Sequence, residues 1–168
     1  MPSPLIRAAL MVRDLERSRA FYEAVLSLHG LYLDADLTAT LSWKLLGLAP
    51  GTRIRAAILK PRRIDDRPAP DFGMLGLFEL ADARPSAAAP PDAVRFGEAV
   101  LVFYVADLDA ALRAVVAGGG RVLSGPERFR MPELDVDVAE AIVRDPEGVA
   151  LNLVQTPESL AWETTERA

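Results

Sequence analysis

The sequence contains no cysteine and only one histidine, His29, among its 168 residues. A chain without cysteine forms no disulfide and no thiolate zinc site, and it has no thiol nucleophile. This composition suits a reducing compartment, so we expect the protein to be cytoplasmic. His29 follows the first predicted helix, where a cation stabilises the helix dipole. We therefore interpret it as a residue of the helix end and not as a catalytic base.

Long apolar runs are absent as well. No stretch approaches the roughly 20 consecutive apolar residues of a membrane-spanning helix, and the first residues lack the charged start and apolar core of a signal peptide. The formal net charge is -5, and the basic residues form no stripe interleaved with aromatic residues. These absences argue against a membrane or a nucleic acid as a partner.

What the sequence does contain is one pattern that occurs twice. The stretch "MVRDLERSRAFYEAVL" begins at Met11, and "YVADLDAALRAVVAGG" begins at Tyr104. Each reads as the end of a strand followed by an amphipathic helix with apolar residues at helical spacing. Asp14 and Asp107 stand at the N-cap positions, and the glycines from Gly118 end the second helix.

Each half of the chain predicts a strand–helix–strand–strand–strand module. We place the N-terminal module at residues 1–80, a Pro- and Ala-rich linker at 81–97, the C-terminal module at 98–155 and a tail at 156–168. One helix covers only one face of a four-stranded sheet, so neither module has a sufficient core alone and the two are expected to pair. Pairing edge to edge predicts an α+β fold with a curved mixed sheet, helices outside and a concave cavity.

Two motifs carry a resemblance to a known superfamily. They are V-x-D-L-E-R-S-x-x-F-Y, from Val12 to Tyr22, and Asp145-Pro146-Glu147-Gly148, which has the residues of a type I turn before the final strand. With the internal repeat, the chain resembles the vicinal oxygen chelate superfamily over roughly residues 4–155. That superfamily includes glyoxalases, extradiol ring-cleaving dioxygenases, epimerases, fosfomycin-resistance enzymes and bleomycin-resistance binding proteins.

The resemblance implies a divalent metal on the concave face, held by the first and last strand of each module. Carried over to this sequence, the first-strand positions are Arg7 and Val100, and the fourth-strand positions are Glu79 and Asn152. Only Glu79 is a good ligand, because a guanidinium and an alkyl side chain offer no lone pair and an amide is a weak donor. A divalent cation usually needs at least three protein ligands. We therefore predict no metal and no cofactor, with the ligand set for a divalent cation incomplete.

Arg7 and Glu79 are the most informative pair of candidates. If both point into the cavity, Arg7 can donate to an anionic or carbonyl oxygen of a ligand and Glu79 can act as an acid or base. A structural ion pair, or an Arg7 at the rim, remains open as an alternative. For Met11, Trp43 and Tyr104 ordinary core packing is the alternative, and for Asn152 it is a satisfied polar residue that faces water at an open sheet edge. The expected ligand-binding residues are Arg7, Met11, Trp43, Glu79, Val100, Tyr104 and Asn152.

These candidate residues are compatible with three different functions. The first is a glyoxalase-like or bleomycin-resistance-like protein that binds a small organic molecule in the cavity and has a degenerate metal site. The alternative is a metal-dependent lyase, isomerase or dioxygenase of the same superfamily that uses Glu79. A third interpretation is a degenerate member with an interaction or regulatory role. We expect a homodimer, because a symmetric pair covers exposed sheet edges.

Overall fold

The computed structural model describes residues 5–40, 42–64, 67–81, 92–94, 97–131 and 135–157. Most of the expected linker at 81–97 and most of the expected tail at 156–168 lie outside these ranges. The first module contains β1 (Arg7–Val12), α1 (Leu15–Leu26), β2 (Gly30–Asp36), α2 (Ser42–Leu45), β3 (Ile54–Lys60), β4 (Arg63–Ile64), β5 (Arg67–Pro68) and β6 (Met74–Leu80). The second contains β7 (Val100–Tyr104), α3 (Leu108–Ala117), β8 (Arg121–Met131), β9 (Val136–Arg144) and β10 (Ala150–Gln155).

Both modules form a four-stranded sheet of the same topology. The strand orders are β1-β6-β3-β2 and β7-β10-β9-β8. In each sheet the first strand runs parallel to the last, and the other pairs are antiparallel. The hairpin of β4 and β5 is an addition to the first module. The α+β class and the repeated βαβββ module predicted from the sequence are confirmed.

Aspartates begin both long helices, as predicted. Asp14 has extended backbone geometry, and its side chain accepts a hydrogen bond from the Arg17 N–H at 2.9 Å. Asp107 does the same for the Ala110 N–H at 2.8 Å. Each carboxylate satisfies one of the free N–H groups of the first turn, which sets where the strand ends and the helix starts.

The two modules meet through their helices. α1 and α3 contact each other, and one core contains helix-facing side chains from both sheets. Phe21 of α1 lies over the end of α3, where an added Cβ at Gly118 or Gly120 would come within 2.8 Å and 3.0 Å of its ring. The glycines that end α3 therefore also make room for this ring. Within the described residues, hydrogen bonds define two separate four-stranded sheets, and this helix contact takes the place of the expected edge-to-edge pairing.

Each sheet keeps one face free of these helices, and we call it the open face. Side chains alternate between the two faces along a strand. In β6, Leu75 and Leu77 belong to the core, so Gly76 and Phe78 point to the N-terminal open face. In β10, Leu151 and Leu153 belong to the core, so Asn152 points to the C-terminal open face. In the described part of the chain, each helix falls short of the length and apolar character needed to cross a membrane.

Candidate functional site

On the N-terminal open face, the charged side chain of Arg7 lies over Gly76. The Arg7 side chain lies across Gly76, because a Cβ added at Gly76 would be 2.9 Å from Arg7 Cδ and 2.9 Å from a ring carbon of Phe78. Arg7 is exposed, and no carboxylate among the described residues lies within ion-pair distance of its guanidinium. Met11 is on the same face by alternation and is 41% exposed. Two of the expected site residues, Arg7 and Met11, thus share this face.

Glu79 lies on the other side of the same sheet. Its Oε2 accepts a hydrogen bond from the Leu15 N–H, the first of α1, at 2.8 Å. The parallel register places Glu79 beside Val12 and places Arg7 beside Met74. Five residues along a strand correspond to about 16 Å. The structure therefore does not form the Arg7–Glu79 pair that the sequence analysis considered.

The second module repeats the contact made by Glu79. The Leu108 N–H, the first of α3, donates to Gln155 Oε1 at 2.7 Å. Gln155 is thus the counterpart of Glu79, and the counterpart of Asn152 is Gly76. The signal is present in the sequence, because "GLFE" from Gly76 aligns with "NLVQ" from Asn152. Glu79 and Asn152, which the family pattern assigned to the same position, stand three residues apart in the repeat.

The C-terminal open face combines polar acceptors with exposed apolar surface. Asn152 Nδ2 donates to Glu140 Oε2 at 3.2 Å, and Asn152 Oδ1 is buried with no hydrogen-bond partner among the described residues. Val102 lies beside Asn152 in the parallel register and is 62% exposed, and Tyr104 is 54% exposed. A buried oxygen without a donor is uncommon in native proteins and is often explained by a ligand or an ordered water.

The expected residues therefore fall into separate places. Arg7 and Met11 lie on the N-terminal open face, Val100, Tyr104 and Asn152 lie on the C-terminal open face, and Glu79 lies on the helix side. Trp43 lies in α2, and its side chain is outside the described residues. Of the expected set, three residues are brought together on one surface.

The donor atoms on these faces do not fit a divalent cation. Among the described residues, no three histidine, cysteine, aspartate or glutamate side chains come together in a way that could hold a metal ion. The position of Glu79 removes the one good ligand that the family pattern supplied, since its carboxylate caps α1. The open faces instead present the Arg7 guanidinium, the Asn152 amide and the neighbouring carboxylates of Glu127 and Glu140.

The two motifs that carried the resemblance contact each other across the module boundary. The Tyr22 hydroxyl donates to Asp145 Oδ2 at 2.7 Å, and Asp145 Oδ1 accepts from the N–H groups of Glu147 and Val149 at 2.9 Å and 2.7 Å. Arg13 Nε pairs with Glu147 Oε2 at 2.6 Å. We call Arg13, Tyr22, Asp145 and Glu147 the module latch. Sequence reasoning identified both motifs but not their contact, because they are far apart in the chain.

Burial raises the pKa of two members of the latch, Asp145 and Tyr22. It raises the pKa of Asp145 above the ordinary carboxyl value, although the hydrogen bonds from Tyr22 and the two backbone N–H groups oppose this effect. Burial, together with the nearby Asp145 carboxylate, also raises the pKa of Tyr22. Both groups thus bind their protons more tightly in the folded chain than in the unfolded one.

Comparisons with known proteins agree with this fold. A family model described as Glyoxalase/Bleomycin resistance protein/Dioxygenase superfamily matches residues 5–153. A glyoxalase family protein from Bacillus cereus is 16% identical with a TM-score of 0.70, over 93% of this chain and 95% of that chain. A glyoxylase/bleomycin resistance protein/dioxygenase domain from Frankia sp. is 18% identical with a TM-score of 0.57, over 93% and 99% of the two chains.

Glyoxalase I from Zea mays is 20% identical with a TM-score of 0.56. The match covers 98% of this chain but 49% of that one, so this chain corresponds to about half of the plant enzyme. No curated protein sequence matches the chain. At these identities the solved structures show a shared fold and nothing finer.

Proposed function

The chain belongs to the Glyoxalase/Bleomycin resistance protein/Dioxygenase superfamily, and on that basis we propose that it binds a small organic molecule on its open faces without a divalent cation. The observation that carries this proposal is the hydrogen bond from the Leu15 N–H to Glu79. It occupies the single carboxylate that a chelating site would need and directs it away from the open face. The alternative of a metal-dependent lyase, isomerase or dioxygenase has no comparable observation in its favour.

The chemistry of the open faces indicates what such a molecule must offer. Glu140 and Asn152 Oδ1 are acceptors, so they suit an N–H or O–H group of the ligand. Val102 and Tyr104 provide exposed apolar and aromatic surface next to them. Arg7, on the other open face, suits a carbonyl or anionic oxygen. An organic molecule with an apolar body and a few polar groups meets these requirements.

Glu79→Gln is expected to change the free energy of unfolding by less than about 1 kcal/mol, because an amide oxygen can also accept from the helix N-terminus and only the charge–dipole attraction is lost. Gln155 already makes this contact in the second module. Glu79→Ala, which removes the acceptor, is expected to cost about 1 kcal/mol. Denaturant titration of the wild type and both variants checks these values.

The same variant tests the metal-independent function. Protein purified without added metal is expected to contain no stoichiometric metal by elemental analysis. Nickel, zinc, manganese or ferrous ions are expected to give the same small thermal shift in the wild type and in Glu79→Gln. A metal that is bound by the wild type and lost from Glu79→Gln would contradict the proposal and would favour the chelating enzyme.

We also propose a homodimer in which the N-terminal open face of one copy covers the C-terminal open face of the other, with the small molecule held between the two faces. The charges of the two faces are complementary, since Arg7 has no carboxylate partner among the described residues and Glu140 lies beside Glu127 in the β8–β9 register. Two symmetric contacts of this kind also cover the apolar surface at Met11 and Val102.

Arg7→Glu is expected to weaken the dimer at least about tenfold, or about 1.4 kcal/mol, because it places like charges opposite each other. The charge-swapped double variant Arg7→Glu/Glu140→Arg is expected to restore part of the affinity. Analytical ultracentrifugation measures both. Arg113→Glu on the exposed side of α3 is the matched control and is expected to leave the dimer unchanged. A wild type that is monomeric at every concentration tested would overturn the dimer without affecting the metal prediction.

A further inference from the structure

A cavity of about 370 Å³ lies where the two modules meet, and it borders the C-terminal open face at Val102 and Tyr104. Its walls come from the end of α1, the loop after β3 with β4, the second half of β7 and the start of α3. Among the described side chains of the expected site, Tyr104 lines the cavity and Arg7, Glu79 and Asn152 do not. Most of the cavity wall thus lies apart from the surface of the proposed function, which shares Val102 and Tyr104 with it.

The lining of this cavity is predominantly apolar. Its larger apolar side chains are Leu26, Leu28, Ile64, Phe103 and Val105. The carboxylate of Asp107, which also lines the cavity, already accepts a hydrogen bond from the Ala110 N–H as the cap of α3. The other charged lining residue, Arg63, is exposed to solvent. A neutral ligand is therefore favoured, because a charged one would lose its hydration against a mostly apolar lining.

The edge of β7 presents backbone hydrogen-bonding groups to a ligand in the cavity. β7 is an edge strand, and the Val105 N–H donates to the Val154 carbonyl of β10 at 2.9 Å. Backbone groups alternate in direction along a strand, so the N–H and C=O of Val102 point away from β10 toward the open edge that borders the cavity. A ligand with one carbonyl or hydroxyl group can pair with this backbone.

The size of the cavity restricts the ligand further. Ligand pockets in proteins usually measure about 300–1,000 Å³. An engineered apolar cavity of about 150 Å³ is large enough to bind benzene. The cavity between these modules is more than twice that size, which corresponds to a molecule of about two fused rings.

We propose that the inter-module cavity binds a neutral aromatic molecule of about two rings that carries a single carbonyl or hydroxyl acceptor. Both modules contribute walls, so the bound molecule contacts α1 and α3 at once. Because it binds the folded chain and not the unfolded one, it stabilises the protein, and the stabilisation rises with the logarithm of its concentration once that exceeds the Kd.

The probe for this site is prodan, a neutral naphthalene with one carbonyl group whose emission shifts to the blue in apolar surroundings. Titration of the full chain is expected to give a saturable blue shift with a stoichiometry of one and a higher melting temperature. Ala24→Trp and Ile64→Glu, both at exposed lining positions, are expected to weaken binding at least about tenfold, or about 1.4 kcal/mol. The first fills the cavity and the second places a carboxylate in it.

Ala117→Trp is the matched control, because Ala117 is an exposed alanine of α3 that does not line the cavity. It is expected to bind prodan as the wild type does, and circular dichroism checks that all variants fold. Absence of a blue shift in the wild type, or equal binding by Ala24→Trp, Ile64→Glu and Ala117→Trp, would overturn the proposal. Arg7→Glu is expected to leave prodan binding intact, so this test and the test of the open faces can fail independently.

Discussion

Replacing Arg144 with Met is expected to lower the free energy of unfolding by about 2–4 kcal/mol, because it removes a buried guanidinium that holds a half-buried carboxylate and two backbone carbonyls. Arg144 is 1% exposed, and both of its terminal nitrogens contact the Glu98 carboxylate, with Nη2–Oε2 at 3.1 Å. The same guanidinium donates to the Gly148 carbonyl at 2.9 Å and the Ala93 carbonyl at 3.1 Å. One side chain therefore joins β9, the turn before β10 and the segment that leads into β7.

Denaturant unfolding of a double-mutant cycle separates the ion pair from the packing. Arg144→Met/Glu98→Gln is expected to be more stable than Arg144→Met alone, because the second change removes a half-buried carboxylate charge that Arg144 no longer offsets. Glu98→Gln alone is expected to cost less than Arg144→Met, since Arg144 keeps its two backbone carbonyl partners. A cost below about 1 kcal/mol for Arg144→Met would mean that the buried pair contributes little.

Replacing Tyr22 with Phe is expected to cost about 1.5–3 kcal/mol at neutral pH, which is the usual contribution of a hydrogen bond to a charged group. The Tyr22 hydroxyl is fully buried and bonds to Asp145 Oδ2 across the module boundary. Phe keeps the ring that packs at 5.2 Å and nearly at right angles to Phe21, so the variant removes the hydroxyl alone. Tyr32→Phe at an exposed tyrosine of β2 is the control and is expected to leave stability unchanged.

The cost of Tyr22→Phe is expected to grow as the pH rises. Since burial raises the folded pKa of Asp145, its contribution to stability is complete below the unfolded carboxyl pKa and is lost as pH rises through the raised pKa. The Tyr22 hydrogen bond opposes that loss by stabilising the carboxylate. Denaturant unfolding from acidic to neutral pH measures the difference between the wild type and Tyr22→Phe. A difference that stays constant over this range would show that Asp145 does not titrate within it.

Much of the fold follows from short stretches of sequence. Asp14 and Asp107 predict the two helix starts, and the repeated pattern around them predicts two modules of one topology. These features depend on residues within a few positions of each other, where side chain and backbone interact directly. The same holds for the turn at Asp145, whose carboxylate accepts from backbone N–H groups two and four residues later.

The candidate site was less predictable, and Glu79 shows why. A shift of one residue along a strand moves a side chain to the opposite face of the sheet, so counting from a family pattern does not decide which face a carboxylate occupies. Gln155 could have indicated the capping role of Glu79, because the two residues align when the repeat is matched residue by residue. The sequence predicts a cavity on the concave face, whereas the structure has a cavity between the modules. The position of a cavity depends on how the two modules pack, and local sequence patterns do not specify that packing.

The sequence by itself determined the composition class, the α+β modules, their helix caps and the scarcity of metal ligands, because each of these depends on residue types and local spacing. Only the tertiary structure decided that the modules meet through α1 and α3, that Tyr22 bonds to Asp145, and that Arg144 pairs with Glu98. Those contacts join residues far apart in the chain. Their formation depends on which apolar faces are buried together, and that outcome belongs to the packing of the whole core rather than to any one segment.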